Sequence, residues 1–250
     1  MKIAQIQMHV SADKAENIRH ACELVRSAGD IDLAVLPEMF CCPYDNACFR
    51  DYGEPFAGPA QRAMSQLARE RGIGFVPGIE IDCNYRGTDL HLLGYGIDWR
   101  SADFARLEEE VAAKVMASFG GMVDNLLKLG FSVDAEAVLA AAGVGLPTGE
   151  LIAEVMLSDA KYHTPPLRPY MEGGARSDMP YINFYLDYFA QGRPAFVPVE
   201  YMDFRRAVEL VRDNGGVPVV AHPGLNFRGR EEIAEQLLGR GAAGLEVFNN

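Results

Sequence analysis

Short apolar runs alternate with amphipathic segments along the first third of the chain. Residues 2–8 and the continuous apolar run 32–36 predict two strands, and the second is typical of a strand buried in a parallel sheet. Between them, apolar side chains recur at helical spacing over residues 14–28, with Asp13 placed to cap the helix. A second helix is predicted over residues 60–71. This order of elements indicates an α/β fold.

The stretch 72–98 predicts two strands joined by a turn. Residues 75–76 and 79–81 are apolar or β-branched, residues 84–87 are turn-forming types, and residues 90–93 form the return strand. Because neighbouring strands lie only about 5 Å apart, a hairpin can bring distant positions of this stretch onto one rim.

Two metal-competent side chains, Glu80 and His91, lie in this hairpin. Glu80 interrupts an apolar strand, where a carboxylate needs a partner to offset its desolvation, so we interpret it as a metal ligand. An inward-facing His91 is also compatible with an ordinary hydrogen-bonded imidazole. His222 ends the apolar run 217–221, and functional groups of α/β folds gather at such strand ends.

A helical pattern replaces the α/β pattern over about residues 100–190. Residues 98–130 are rich in Glu, Ala, Leu and Met with apolar side chains at three- and four-residue steps, and shorter helices are predicted near 134–142 and 148–157. We therefore predict an all-helical insert. The α/β pattern then returns, with a helix over 203–212, a strand over 217–221, a helix over 231–238 and a strand over 244–248.

Composition narrows the function classes. The formal net charge of -12 argues against non-specific nucleic-acid binding, which needs an excess of Lys and Arg. Five cysteines without a CxxC pair indicate reduced thiols, and residues 2–8 contain glutamines and no cleavage site, so we expect a cytoplasmic protein without a signal peptide. No apolar run approaches the roughly 20 residues that span a bilayer, so we expect no membrane partner.

Three segments early in the chain resemble those of a known family. The strand Met1–Met8, the run Leu36-Pro37-Glu38-Met39-Phe40 and the run Cys42-Pro43-Tyr44-Asp45-Asn46 are similar to the start of carbon–nitrogen hydrolases of the nitrilase superfamily, over residues 1–73. The resemblance implies that Glu38 is a general base. The family's catalytic Lys and nucleophilic Cys motifs have no match here, and a base without its nucleophile does not perform acyl transfer.

Six segments after residue 74 carry a second resemblance: 76–81, 91–95, 149–155, 192–195, 221–224 and 244–248. In their order and spacing they resemble the PHP (polymerase and histidinol phosphatase) superfamily of metal-dependent phosphoesterases. The resemblance implies a distorted β/α barrel with a parallel sheet and a helical insert, and a cluster of divalent metals such as Mn, Zn or Fe. Glu80, His91 and His222 match family ligand positions.

The PHP resemblance also implies a function. The family's metals polarise a phosphate and lower the pKa of a water that attacks a small-molecule phosphate ester, for example of a nucleotide. Arg193 is placed to bind the substrate phosphate as a bidentate donor. The family's N-terminal His-x-His and C-terminal Asp-x-His have no counterpart here, so we expect an impaired activity. His9 and Asp13 follow the first strand and are candidate replacement ligands.

The two resemblances meet near residues 71–74 and indicate a chimera. We predict a nitrilase-like segment over 1–73, a PHP-like core formed by 74–99 and 191–250, and the helical insert over 100–190. The predicted function is a metal-dependent phosphoesterase. The alternatives are an amidase-like carbon–nitrogen hydrolase and a catalytically inactive α/β protein.

Overall fold

Two compact units form the protein. The computed structural model describes residues 1–43, 51–55, 57–227, 229–230 and 232–247. The first unit is Met1–Phe75 and the second is Val76–Asn250. Cys48, the motif residues 44–46, and Phe248 of the predicted last strand lie outside the described residues.

The described residues of the first unit include a small parallel sheet and the helices that pack on it. Strand β1 (Ile3–Gln5) pairs in parallel with β2 (Leu33–Val35), and the helices are α1 (Lys14–Ser27) and α2 (Pro59–Arg71). Both strands are shorter than predicted. The Asp13 carboxylate accepts a hydrogen bond from the Glu16 backbone N–H at 3.0 Å, which fixes the start of α1 as the sequence predicts. The small core of this unit contains Ile6, Cys22, Val25 and Leu67.

A five-stranded mixed sheet is the centre of the second unit. Its order is β5-β3-β4-β6-β7. Strand β4 is antiparallel to both β3 and β6, whereas the outer pairs β3–β5 and β6–β7 are parallel. The strands are β3 (Gly78–Tyr85), β4 (Thr88–Tyr95), β5 (Met202–Asp203), β6 (Val217–Val220) and β7 (Gly244–Leu245).

The prediction of a parallel sheet is wrong for this unit. Only two residues, Arg86 and Gly87, join β3 to β4, and both have positive φ (52° and 82°). Such a turn reverses the chain at once and therefore forces antiparallel pairing. The predicted barrel is not observed either, because the described strands form two separate open sheets. The observed class is mixed α/β.

The central hairpin has one polar and one apolar face. Alternate residues of β3 and β4 give a polar face formed by Glu80, Asp82, Asn84, Asp89 and His91. The other face packs on a core that includes Ile81, Leu90, Leu92, Phe204, Val211, Val220 and Phe227. This alternation excludes a register shifted by one residue, since such a shift would bury the polar row.

The helical stretch forms a second core in this unit. It contains α3 (Ala102–Lys128), α4 (Ala135–Ala142), α5 (Gly149–Ser158), two short 3-10 helices (Ala160–Tyr162 and Pro165–Tyr170) and α6 (Pro180–Tyr188). Its buried side chains include Phe119, Leu126, Val138, Ile152, Met156, Leu167 and Phe184. The last three helices, α7 (Phe204–Asp213), α8 (Pro223–Asn226) and α9 (Glu232–Gly239), alternate with the strands β6 and β7.

Two details of the predicted elements differ from the structure. Phe75 and Val76 are exposed (49% and 53%) and precede β3 instead of forming part of it. Residues 84 and 85 continue β3, so the turn is two residues long and not four. Within the described part of the chain, no helix has both the length and the apolar character needed to cross a membrane.

Candidate metal centre

Three side chains of the second unit converge on one point. Glu80 Oε1 lies 2.7 Å from His91 Nδ1 and 3.4 Å from His222 Nε2, and the two imidazole nitrogens are 3.1 Å apart. The imidazole rings meet edge to face, with centroids 4.8 Å apart. One ligand atom from each residue therefore faces the other two.

The hairpin register places Glu80 beside His91. In the β3–β4 ladder Asp82 lies opposite His91, and Glu80 lies opposite Leu93. Glu80 and Asp82 are two residues apart on one strand, so both side chains are on the polar face with His91. Glu80 reaches His91 across the diagonal, which is within the range of a long side chain.

His222 follows β6 in an unusual backbone conformation. Its φ of 28° and ψ of 55° lie in the left-handed region, which a residue with a Cβ rarely adopts. The Glu246 carboxylate accepts a hydrogen bond from the His222 backbone N–H at 2.6 Å and helps to hold this conformation. The backbone N–H of Ala221 donates to the His91 carbonyl, so the end of β6 stays attached to β4 and carries His222 to the polar face.

The outer nitrogen of each imidazole is hydrogen-bonded to an acceptor. The Asp82 carboxylate lies 3.1 Å from His91 Nε2, and Asn226 Oδ1 lies 2.8 Å from His222 Nδ1. Asn226 Nδ2 donates to the Asp89 carbonyl at 3.1 Å, which orients the amide oxygen toward His222. Both outer nitrogens are therefore N–H donors, so the neutral form of each imidazole has its lone pair on the inner nitrogen, where it can bind a cation.

Hydrogen bonds among the three groups shift their pKa values. Hydrogen bonds from His222 and from His91 lower the pKa of Glu80 to about 2. Hydrogen bonds to Asp82 and to Glu80 raise the pKa of His91 to about 10. The pKa of His222 is also raised, chiefly by its hydrogen bond to Glu80.

The donor set fits a divalent metal. Metal–ligand distances of about 2.1 Å place neighbouring ligands roughly 3.0 Å apart in an octahedral site and 3.4 Å apart in a tetrahedral one. Two of the three observed separations, 3.1 and 3.4 Å, fall in this range, and the third is a hydrogen bond of 2.7 Å. Two imidazoles and one carboxylate suit Zn, Mn or Fe.

The other residues predicted from the sequence are not part of this cluster. Arg193 is exposed in the loop between α6 and β5, and its backbone N–H donates to the Ala190 carbonyl. His9 and Glu38 are exposed residues of the first unit, where Asp13 caps α1. The roles of these four residues stay predictions.

The sequence interpretation missed the residues that support the ligands: Asp82, Asn226 and Glu246. Asp82 carried a signal, because it lies two residues after Glu80 and so shares its face of the strand. Glu246 lies in the segment 244–248 that matches the PHP family but was not singled out, and Asn226 had no signal, since its contact with His222 depends on the conformation of the chain after β6.

Comparison with known proteins first identifies the N-terminal segment. Residues 2–83 match the carbon–nitrogen hydrolase family model. Over 79 residues, 31% of this chain, the sequence is 37% identical to the omega-amidase NIT2 of Mus musculus and covers 29% of that protein. The nitrilase resemblance of this segment is confirmed, although the chain spans less than a third of that amidase.

A longer match covers most of the chain. Over 190 residues, 75% of the chain, it is 26% identical to the 3',5'-nucleoside bisphosphate phosphatase of Chromobacterium violaceum and covers 60% of that protein. Over 191 residues the chain is also 27% identical to the phosphoribosyl 1,2-cyclic phosphate 1,2-diphosphodiesterase of Eggerthella lenta and covers 66% of that protein. The chain also shares its fold with a putative metal-dependent phosphoesterase from Bifidobacterium adolescentis, with a TM-score of 0.56 and 20% identity over 99% of this chain and 76% of that one. Both resemblances predicted from the sequence are therefore present in one chain.

Proposed function

We propose that the protein is a PHP-type metal-dependent phosphoesterase that hydrolyses a phosphate ester of a nucleotide or another small molecule. The observation that carries this proposal is the convergence of Glu80, His91 and His222, with the outer nitrogen of each imidazole held by its own acceptor. Ligand residues positioned by hydrogen bonds of this kind are typical of functional metal sites. The homologous phosphatase supports the choice of reaction.

Glu80, His91 and His222 would hold one divalent ion. Such an ion supplies positive charge that polarises a phosphate ester and lowers the pKa of a water molecule. Glu80 contributes the one negative charge among the three ligands. Asp82 and Asn226 keep the two imidazoles in the orientation and tautomer that binding requires.

We further propose the three-part organisation predicted from the sequence. The helical core formed by residues 119–195 excludes the sheet residues, which supports an insert over about 100–190 within a PHP-like core of residues 74–99 and 191–250. The first unit would then be a nitrilase-like segment over residues 1–73.

Metal content is the first test. The full chain, purified after growth with added manganese, is analysed for bound metals beside a Glu80→Ala/His222→Ala variant. We expect near-stoichiometric metal in the wild type and its loss in the variant. Asp124→Ala, which removes an exposed carboxylate of α3 that is not among the three ligands, is a matched control. Metal absent from all three proteins would refute the proposed site.

Activity is the second test. Hydrolysis of p-nitrophenyl phosphate and of a nucleoside 3',5'-bisphosphate is measured with and without added Mn²⁺. We expect metal-dependent release of inorganic phosphate that is lost in His91→Ala. A protein that binds metal and turns over neither substrate would support the inactive alternative, in which the site survives without its activity.

A carbon–nitrogen hydrolase activity is the second candidate, favoured by the family match over residues 2–83. The first unit gives it limited support. Burial raises the pKa of the Cys41 thiol, which opposes formation of a nucleophilic thiolate, and Lys14 pairs with Glu54 at 2.6 Å and not with Glu38. Labelling by a thiol-reactive acyl analogue that disappears in Glu38→Ala would support this candidate.

A further inference from the structure

Besides the candidate metal centre, the second unit has a cleft on the apolar side of the central sheet. Its volume is about 960 Å³, and it is formed by Tyr85 at the end of β3, one side of α7 and the end of α9. Tyr85 follows Glu80 by five residues on the same strand, which is roughly 17 Å, and an odd spacing places the two side chains on opposite faces. The cleft is therefore separate from the candidate metal centre.

Arginines dominate the charge of this cleft. Four guanidinium groups line it, and the carboxylate among them is Glu209, which already pairs with Arg205 at 3.1 Å. Among the described residues, the other three arginines have no carboxylate within ion-pair distance. This concentration of positive charge stands out in a chain with a formal net charge of -12. The four are Arg86, Arg205, Arg212 and Arg240.

A hydrogen-bond network fixes two of these arginines around a buried tyrosine. The Tyr85 hydroxyl donates to Gln236 Oε1 and accepts from Arg240 Nε, both at 3.0 Å. Arg86 donates to the same Gln236 oxygen at 3.0 Å. The guanidinium carbons of Arg86 and Arg240 each lie 5.2 Å from the centre of the Tyr85 ring, in cation–π contact. These contacts engage one N–H of each guanidinium, which has five.

The backbone position of Arg86 is a second, independent observation. Arg86 is the first residue of the β3–β4 turn and has a φ of 52°. Two-residue hairpin turns with positive φ at both positions strongly favour Asn, Asp or Gly there. An arginine at this position adds backbone strain, and strain of this kind at a defined position is a pointer to function. Its guanidinium borders the cleft.

We propose that this arginine cleft binds a small anion that carries two or more phosphate groups. Arginine, the only basic residue type in the lining, forms paired hydrogen bonds with phosphate oxygens more readily than lysine does. Four guanidinium groups spread over a cleft of this size exceed what one phosphate group needs. Such an anion would bind at a site remote from the metal centre, as an effector or a second substrate group does.

The test uses inorganic tripolyphosphate as the probe and isothermal titration of the full chain in buffer containing EDTA. We expect binding to the wild type that weakens as salt is added. Removal of one guanidinium, in Arg86→Asn or Arg240→Gln, should weaken binding about tenfold or more, since hydrogen bonds to charged groups are among the strong ones. Arg106→Gln on α3 removes the same charge away from the cleft and should bind like the wild type.

Two of the variants guard against a loss of binding that comes from unfolding or from the lost charge alone. Arg86→Asn should fold at least as well as the wild type, because Asn suits the positive φ, so its loss of binding cannot be ascribed to unfolding. A Cβ on Gly239 would meet no atom within 4 Å, and Gly239→Leu should therefore obstruct the cleft without removing a charge.

The Glu80→Ala/His222→Ala variant separates this site from the metal centre. Tripolyphosphate binding should persist in it, whether or not the phosphoesterase proposal holds. Binding that is lost in this variant and unchanged in the arginine variants would place the probe at the metal centre and overturn the proposal. No binding to the wild type up to about 1 mM probe would overturn it as well.

Discussion

Replacement of Asp82 tests the account of the metal centre most directly. Asp82 lies opposite His91 in the hairpin, and its carboxylate accepts the His91 Nε2–H at 3.1 Å. The residue touches no ligand atom that faces the proposed ion. Its effect on metal binding therefore reports how the imidazole is held and not how many ligands remain.

The expected magnitude combines two opposing effects. Removal of a carboxylate that orients a metal-binding histidine typically weakens metal binding 10- to 100-fold, about 1.4–2.7 kcal/mol. The Asp82 side chain is 41% exposed, so water can replace part of its contact, and we expect about a tenfold loss in Asp82→Ala. Asp82 is also the largest cause of the raised pKa of His91, about 10, so its removal eases competition by protons. The net loss should therefore be smaller near pH 6.5 than near pH 8.5.

The measurement is a competition titration of Mn²⁺ or Zn²⁺ against a chelating dye at both pH values. Asp82→Asn, which keeps an uncharged acceptor, should lose about threefold in affinity, less than Asp82→Ala. Asp124→Ala removes an exposed carboxylate from α3 and serves as the matched control. Unchanged affinity of Asp82→Ala at about pH 8.5, or an equal loss in Asp124→Ala, would refute the proposed role of Asp82.

Three further predictions concern the stability of the metal-free protein. A Cβ on Gly94 would lie 2.9 Å from Val211 Cγ2, so Gly94→Ala should lower the free energy of unfolding in urea by about 1–3 kcal/mol. Gly120 has open space around it, so Gly120→Ala should raise the free energy of unfolding by roughly 0.5–1 kcal/mol. Asp134 caps α4 through the N–H groups of Glu136 and Ala137, and Asp134→Ala should cost about 1 kcal/mol by the same assay; no change would contradict the cap. The lowered pKa of Glu80 stabilises the folded state above pH 4.5, and this contribution is lost as the pH falls toward about 2. The raised pKa of His91 stabilises the folded state below pH 6.5, and this contribution is lost as the pH rises toward about 10. The thermal midpoint should therefore be highest between about pH 4.5 and 6.5 and lower on either side. If the midpoint of His91→Gln still decreases as the pH rises above 6.5, the role assigned to His91 is wrong.

Local sequence signals were enough to predict many elements of this protein. Asp13 caps α1 as predicted, because capping depends on contacts within one turn of helix. The hairpin and its two metal-competent residues were also predictable, since alternation with period two and turn-forming residues act over short distances. Both family resemblances were also recognised from motifs in the sequence.

The partners of His91 depended on the register, which the sequence pattern left open. A four-residue turn over 84–87 would place Glu80 opposite His91. The two-residue turn at Arg86 and Gly87 shifts the pairing by two residues and places Asp82 there instead. Both registers keep the same face polar, so hydrophobic alternation does not distinguish them.

Only the tertiary structure decided how the metal centre is completed. His222 lies 131 residues after His91, and it reaches the hairpin because β6 pairs with β4. Its strained backbone and its contacts with Asn226 and Glu246 arise from packing of the segments after β6 and β7. Contacts between residues so far apart are set by the assembled sheet and have no local sequence pattern. The sequence alone therefore determined which residues were chemically suited to bind a metal, and the fold determined how they are oriented.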